Sequence, residues 1–334
     1  MDAACAALLF GLFASHGCGA GAFAALVAAH NLLAFGLQPL LAVAVDGRQC
    51  YRQAAVAGCA LTAAAMLVAG ALPIPAVCVA GVGNALFHLG GGSVGIRLKP
   101  GFAAPAGIFV APGAVGLFLG TWLGESGFFA PWTGALLLGA FSVLLSAHAA
   151  PILQPRYRPE RPLGRGRFIL LLLLSSIAMR SLLGLALSFP RTPSRGLAWL
   201  LVLAAAFGKG LGGVFADRFG WMRTAVCALL ISMPLLMFGT ASHAEKIVAM
   251  FLVATTMPVA LVAVSESLPR EPAFAFGLTG MALLVGALPG FTRLRPLAGI
   301  PGPMAAAVLA CMLALYFGLR LARLSHSPKP QGAE

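Results

Sequence analysis

The chain has 334 residues, of which 60% are hydrophobic and only 9% charged, with a mean hydropathy of +0.95 and a formal charge of +13. A soluble domain carries roughly a quarter charged residues, so a water-solvated globule is excluded. The basic residues sit mainly at the ends of apolar runs and not in one patch, which argues against nucleic acid as a partner and reads the charge as membrane topology.

The apolar runs are about 17 to 24 residues long, enough to cross a hydrocarbon core of about 30 Å at 1.5 Å per residue. Stretches such as Phe168 to Ile177 lack the alternation of barrel strands, so helices are expected. In chain order they fall near 2–17, 21–45, 52–71, 75–96, 102–123, 130–149, 167–189, 195–216, 222–240, 244–266, 272–290 and 303–323. Prolines mark the breaks, among them Pro73, Pro100, Pro131, Pro151, Pro190, Pro269 and Pro301. The first run begins Met1-Asp2 with no preceding Lys or Arg, and reads as a helix and not as a cleaved signal. It spans only about 16 residues, or about 24 Å, short of a full bilayer; truncation, a start further upstream or a reduced architecture would each account for that. Helices two, four and eight carry internal Gly and polar residues and are expected to be the least regular. The seven cysteines are scattered without a CxxC pair and read as small core residues.

An even number of spans leaves both termini on one side. Fifteen Lys and Arg, among them Arg48, Arg52, Arg97, Lys99, Arg218, Arg223 and Arg270, fall at the ends assigned to the cytoplasm, against five (Arg191, Arg195, Lys246, Arg293, Arg295) at the opposite ends. The positive-inside rule then puts both termini in the cytoplasm of a bacterial inner membrane. The expected organisation is an amino-terminal six-helix bundle (1–150), a cytoplasmic linker (151–166) with Arg156, Arg158, Arg161 and Arg165, a second six-helix bundle (167–324) and a flexible tail (325–334).

The two halves look duplicated. Asp46 closes the second run and Asp217 the eighth, and a similar offset sets Lys99, Pro100 and Phe102 against Arg270, Pro272 and Phe274. The segment Gly213-Val-Phe-Ala-Asp217-Arg218-Phe-Gly220-Trp-Met-Arg223 resembles the loop signature that major facilitator superfamily transporters carry after the second and eighth helices. Trp221 and Met222 stand where that signature is usually basic. The first-half copy keeps Asp46 and Arg48, with Ala42 at the position of the first glycine. The resemblance implies an all-α polytopic membrane protein of twelve transmembrane helices in two pseudo-symmetric six-helix bundles, working as a secondary transporter by alternating access. It further implies that Gly213, Asp217, Arg218, Gly220 and Arg223, with Asp46 and Arg48, form a latch on the cytoplasmic side. Physically, such an aspartate can accept hydrogen bonds at a neighbouring helix N-terminus, and the glycine lets backbones approach. Ala111-Pro112-Gly113-Ala114-Val115-Gly116 is similar to a fifth-helix motif found in some members of the family, often exporters; small residues there permit close helix contact.

A charge near the bilayer centre costs at least about 2.5–3.5 kcal/mol and is a candidate for function. Arg180 falls mid-way along helix seven, sharing a face with Ser176, Gly184 and Ser188. Lys209 lies between Gly208 and Gly210 on helix eight, where its stem could instead snorkel to the cytoplasmic surface. His30, Asn31 and Gln38 on helix two and Asn84 and His88 on helix four fall at comparable depth, although a buried His more simply bonds a backbone carbonyl. Carboxylates are expected only near the faces: Asp46, Asp217 and Glu266 on one side, Glu125 on the other. An Arg without a carboxylate partner favours an anionic ligand, because its planar fork grips carboxylate or phosphate. The expected partners are the lipid bilayer and a small solute, read as an anion, with an exchanged anion or a coupling proton carried by His30 or His88. A monomer is expected.

Other readings compete. Gly91-Gly92-Ser93-Val94-Gly95 fits the GxSxG elbow with His88 nearby, the mark of an intramembrane serine hydrolase, but that elbow needs a strand, turn and helix. A non-transporting receptor or assembly factor on the same fold is a further alternative. The histidines lack metal-ligand spacing and no nucleotide-binding loop occurs, so neither a metal nor a cofactor is expected, and no catalytic residue is assigned.

Overall fold

The computed structural model describes residues 1–16, 19–148, 163–188, 194–238, 242–291 and 300–324. Most of the linker and all of the tail lie outside the described residues, as do Arg156, Arg158, Arg161, Arg191, Arg293 and Arg295. Among the described residues there are twelve helical rods and no strand. They are α1 (Asp2–His16), α2 (Ala20–Arg48), α3 (Tyr51–Val68), α4 (Pro73–Arg97), α5 (Ala104–Glu125), α6 (Pro131–Ala147), α7 (Leu163–Ser188), α8 (Arg195–Phe219), α9 (Trp221–Phe238), α10 (His243–Ser267), α11 (Pro272–Ala287, extended by a 3-10 turn Leu288–Phe291) and α12 (Pro301–Leu324). Nine are long and apolar enough to cross a membrane; Asp2–Ser15, Pro131–Ala147 and Trp221–Met237 are apolar but shorter. Twelve equal spans are therefore more than length and hydropathy support.

Several starts follow from proline at the first helical turn, where a missing N–H costs nothing: Pro73, Pro131 and Pro272. Of the three helices expected to be irregular, only α2 is. It contains a π-helical turn, Leu32–Gly36, closed by the Leu37 amide on the Leu32 carbonyl at 3.0 Å. Pro39 lacks the N–H that would bond the Phe35 carbonyl, and the rod absorbs the mismatch in one wide turn. Helices α4 and α8 run unbroken. Helix α7 begins at Leu163, so its first turn takes up residues assigned to the linker.

The pairings of the first half recur in the second. Helix α1 packs on α5 as α7 does on α11, α2 on α4 as α8 on α10, and α3 on α4 and α6 as α9 on α10 and α12. Between the halves, α2 meets α11 and α8 meets α5. Glycine sets the closeness of these contacts. A Cβ on Gly213 would lie 2.7 Å from the Ala103 carbonyl oxygen, one on Gly107 2.5 Å from the Lys209 carbonyl oxygen, and one on Gly277 3.0 Å from the Gln38 carbonyl carbon. Along α4, Gly91 and Gly92 accept the rings of Phe109 and Phe276 against bare backbone. Large apolar side chains such as Leu40, Val43, Leu67, Leu137 and Val143 point outward, as expected of a surface wetted by lipid.

Candidate functional site

The two aspartates of the repeated loop make the same contact. Asp217, at the end of α8, accepts the Ala103 and Ala104 amides on its two oxygens at 2.7 and 2.8 Å. Asp46, at the end of α2, accepts the Ala273 and Phe274 amides at 3.0 and 2.8 Å. Each carboxylate thus caps a helix of the other half, α5 or α11, where orphan amides and the helix dipole favour negative charge. Each also takes an aromatic donor from its own side: Trp221 Nε1 on Asp217 at 3.3 Å and Tyr51 Oη on Asp46 at 3.1 Å. Arg97 adds a bond from Nη2 to the Pro269 carbonyl before α11. The sequence reading missed Tyr51, Trp221 and Arg97 as partners, since their reach depends on how the helix ends face one another.

The remaining signature residues are arranged around these caps. Gly220 has φ +95° and lets the chain turn from α8 into α9 in one residue. Arg218 is exposed beside the Phe219 ring at 5.8 Å, and Arg223 and Arg48 are exposed as well. Ala42 is fully buried with Val45, Tyr51 and Ala273, so the first-half copy tolerates a methyl where Gly213 cannot.

Arg180 is 6% exposed, and its Nε and Nη2 have no hydrogen-bond partner among the described residues. Those two nitrogens form one edge of the guanidinium, the fork that takes a carboxylate or phosphate by two parallel bonds. Lys209 is half-buried on α8, with Arg180 and Asp2 within electrostatic range of its ammonium. Ser176, expected beside Arg180 as a cavity residue, is instead engaged by α12: its hydroxyl lies 3.4 Å from Cys311 Sγ, which also donates to the Ser176 carbonyl. Gly184 has open space before it, and the Ser188 side chain lies outside the described residues.

On the amino-terminal side, His88 Nδ1 meets the Asn84 carbonyl at 3.0 Å, and its Nε2 lies 3.5 Å from Asp2 Oδ1. A carbonyl accepts only, so Nδ1 carries hydrogen; a proton is then needed between Nε2 and the carboxylate. The expectation that carboxylates keep to the faces is corrected here. Helix α1 runs along the second half of α5, with Ala3 against Gly116 and Gly120 and Phe10 against Gly124. That short helix delivers Asp2 beside Gly113, midway along α5. Rings of Phe35, Phe87, Phe109 and Phe276 surround His88 with centroids 5.6 to 6.4 Å away.

The other predicted polar residues serve the scaffold more visibly. His30 is buried, with Nδ1 3.3 Å from the Val77 carbonyl. Gln38 donates to the Ala34 carbonyl at 2.7 Å and presses its Oε1 on Gly280 of α11. Asn84 keeps its Oδ1 unbonded among the described residues, and Asn31 is half-buried at the mouth of the π turn. Ser93 is fully buried within unbroken α4 and donates to the Leu89 carbonyl, so the GxSxG pattern is helix packing and no elbow forms. Among the described residues no group of His, Cys, Asp or Glu could hold a metal ion.

No protein-family profile and no curated protein matches the sequence. Solved structures do match the fold. FucP, a major facilitator superfamily transporter in the outward conformation, aligns at 13% identity with a TM-score of 0.68 over 98% of this chain and 99% of its own. A variant of FucP, the E. coli fucose:proton symporter, gives 13%, 0.71, 98% and 96%. The human organic anion transporter MFSD10 (TETRAN) gives 17%, 0.56, 97% and 97%. With its apolar rods, crosswise caps and end-to-end structural match, the chain is a multi-pass membrane protein with the fold of the major facilitator superfamily.

Proposed function

We propose that the chain is a secondary transporter that moves a small anion across the bacterial inner membrane by alternating access, as a monomer with both termini cytoplasmic. The observation that carries this reading is Arg180, buried in the bundle with the two nitrogens of one guanidinium edge unbonded. A buried charge without a partner is costly unless a ligand completes it. Lys209 adds a second positive charge within electrostatic range. The description of MFSD10 as an organic anion transporter is consistent with that chemistry.

The Asp2–His88 pair supports coupling to a proton. Taking one up there raises the local charge by one unit beside Lys209 and Arg180, which strengthens anion binding; by linkage, the anion strengthens proton binding equally. The capping aspartates Asp46 and Asp217 hold the two halves together at one face, and we read them, with Gly213, Gly220 and the flanking arginines, as the latch that releases when that face opens.

The test is a thermal-shift screen of purified protein against small anions, cations and sugars, followed by counterflow in proteoliposomes. An anion should raise the melting temperature, because it binds only the folded state. Arg180→Ala should abolish both the shift and the flux, and Arg180→Lys should restore little, since a point charge lacks the two-pronged edge. Undiminished anion transport by a normally inserted Arg180→Ala protein would overturn the anion reading.

A further inference from the structure

Away from the central charges, a groove of about 350 Å³ opens on the outside of the molecule between α8 and α9, floored by α10. Its origin is local. A Cβ on Gly208 would lie 2.5 Å from the Phe251 carbonyl oxygen, and Gly212 likewise touches the Thr255 backbone, so α8 crosses α10 in direct backbone contact. Helix α9 packs more closely on α10 than on α8, and a crevice is left between α8 and α9. Phe215 and Phe219 form one wall, Cys227 and Ile231 the other, with Phe251 and Leu252 below. From Arg223 to Ile231 the groove follows two turns of α9, about 12 Å at 1.5 Å per residue, most of the roughly 15 Å depth of one leaflet in a core about 30 Å thick.

One charged side chain lines this otherwise apolar groove: Arg223, at the end where α8 turns into α9. The Thr224 hydroxyl beside it is already spent on the Phe215 carbonyl at 3.2 Å. The duplicated half shows what a satisfied arginine looks like at this point. Arg52, the counterpart of Arg223 in α3, donates to the His148 carbonyl at 2.7 Å, just past the end of α6. Helix α12 continues to Leu324, so the matching carbonyl, near Leu319, is consumed inside a helix, and Arg223 has no polar partner among the described residues.

We propose that this groove binds one acyl chain of an anionic phospholipid, with the phosphate held by Arg223. An anionic head joined to a straight apolar tail matches a guanidinium at the rim of a leaflet-deep apolar slot. The site is separate from Arg180 and Asp2, and its fate does not depend on the anion reading.

Native mass spectrometry of the full chain, purified from vesicles of equal phosphatidylglycerol and phosphatidylcholine, tests it. The expected result is retention of phosphatidylglycerol at least fivefold above phosphatidylcholine, lost in Arg223→Gln. Cys227→Trp, which fills the slot and keeps the charge, should lose it too. Circular dichroism and gel filtration would verify that both variants are folded. Equal retention of the two lipids, unchanged retention in either folded variant, or a second copy of the chain in place of lipid would overturn the proposal.

Discussion

Asp46 and Asp217 cap each other's halves: the first closes the N-terminus of α11 and the second that of α5, each with both carboxylate oxygens. Opening that face therefore breaks four charge-assisted hydrogen bonds at two places related by the internal repeat. Asp217→Asn keeps one acceptor oxygen and removes the charge, at a cost of about 1.5–3 kcal/mol to the closed form. A cysteine introduced at Phe109 should then label with a water-soluble maleimide at least tenfold faster in Asp217→Asn than in its absence, and faster still with Asp46→Asn added. Unchanged labelling in the double variant would show that the caps do not hold this face shut.

The two copies of the signature should respond differently to size. Gly213→Val drives side-chain atoms into the Ala103–Ala104 backbone and should destabilise by about 1–3 kcal/mol. Ala42→Gly, at the matching point, removes a methyl already accommodated and should cost about 1 kcal/mol at most. Gly220→Ala should be costly for a third reason, because φ +95° with ψ 136° is a conformation nearly restricted to glycine, worth about 1–3 kcal/mol. Melting temperatures of the three variants in one detergent would check the order.

Lys209→Gln removes one positive charge from the centre while Arg180 keeps its fork. For an anion about 8 Å away and an effective dielectric near 20, the lost attraction is roughly 2 kcal/mol, so the dissociation constant should rise about ten- to thirtyfold. Titration calorimetry with the anion found by thermal shift would measure it. An unchanged constant would mean that Lys209 does not face the bound anion.

Anion binding should tighten as pH falls through the range in which an imidazole titrates, between about pH 5 and 8. The sign follows from charge: each proton gained at His88 or Asp2 adds a unit of positive charge near Lys209 and Arg180. His88→Gln and Asp2→Asn should both flatten the dependence. A profile as steep in His88→Gln as in the parent would move the coupling elsewhere, with His30 the next candidate.

What the amino-acid sequence made legible were features fixed by local spacing. The Asp46–Asp217 repeat, the apolar rods and the isolation of Arg180 from any nearby carboxylate along its own helix all come from counting residues. The depth of Asp2 did not, because it depends on where α1 settles along α5. Its signal was present: Gly113, Gly116, Gly120 and Gly124 form a stripe at steps of three and four, which marks the face where α1 packs though not its register. The contact of Ser176 with Cys311 was hidden for a similar reason, since the two are 135 positions apart. The π turn in α2 was visible only as the general irregularity expected from its Gly and polar residues, whereas the turn itself sits just before Pro39.

Gly107, Gly213 and Gly277 also bear on electrical insulation. They bring backbone close to backbone where α5 meets α8 and α11 meets α2, with the Pro258 ring closing over Gly107, and so narrow the seam against a file of water. Each elementary charge crossing a membrane at 100 mV gains about 2.3 kcal/mol, so a thread of water through this seam would let protons run down any gradient held across the membrane. A side chain as small as alanine's at Gly107 would wedge the seam apart, and the first symptom would be a current with the cargo absent.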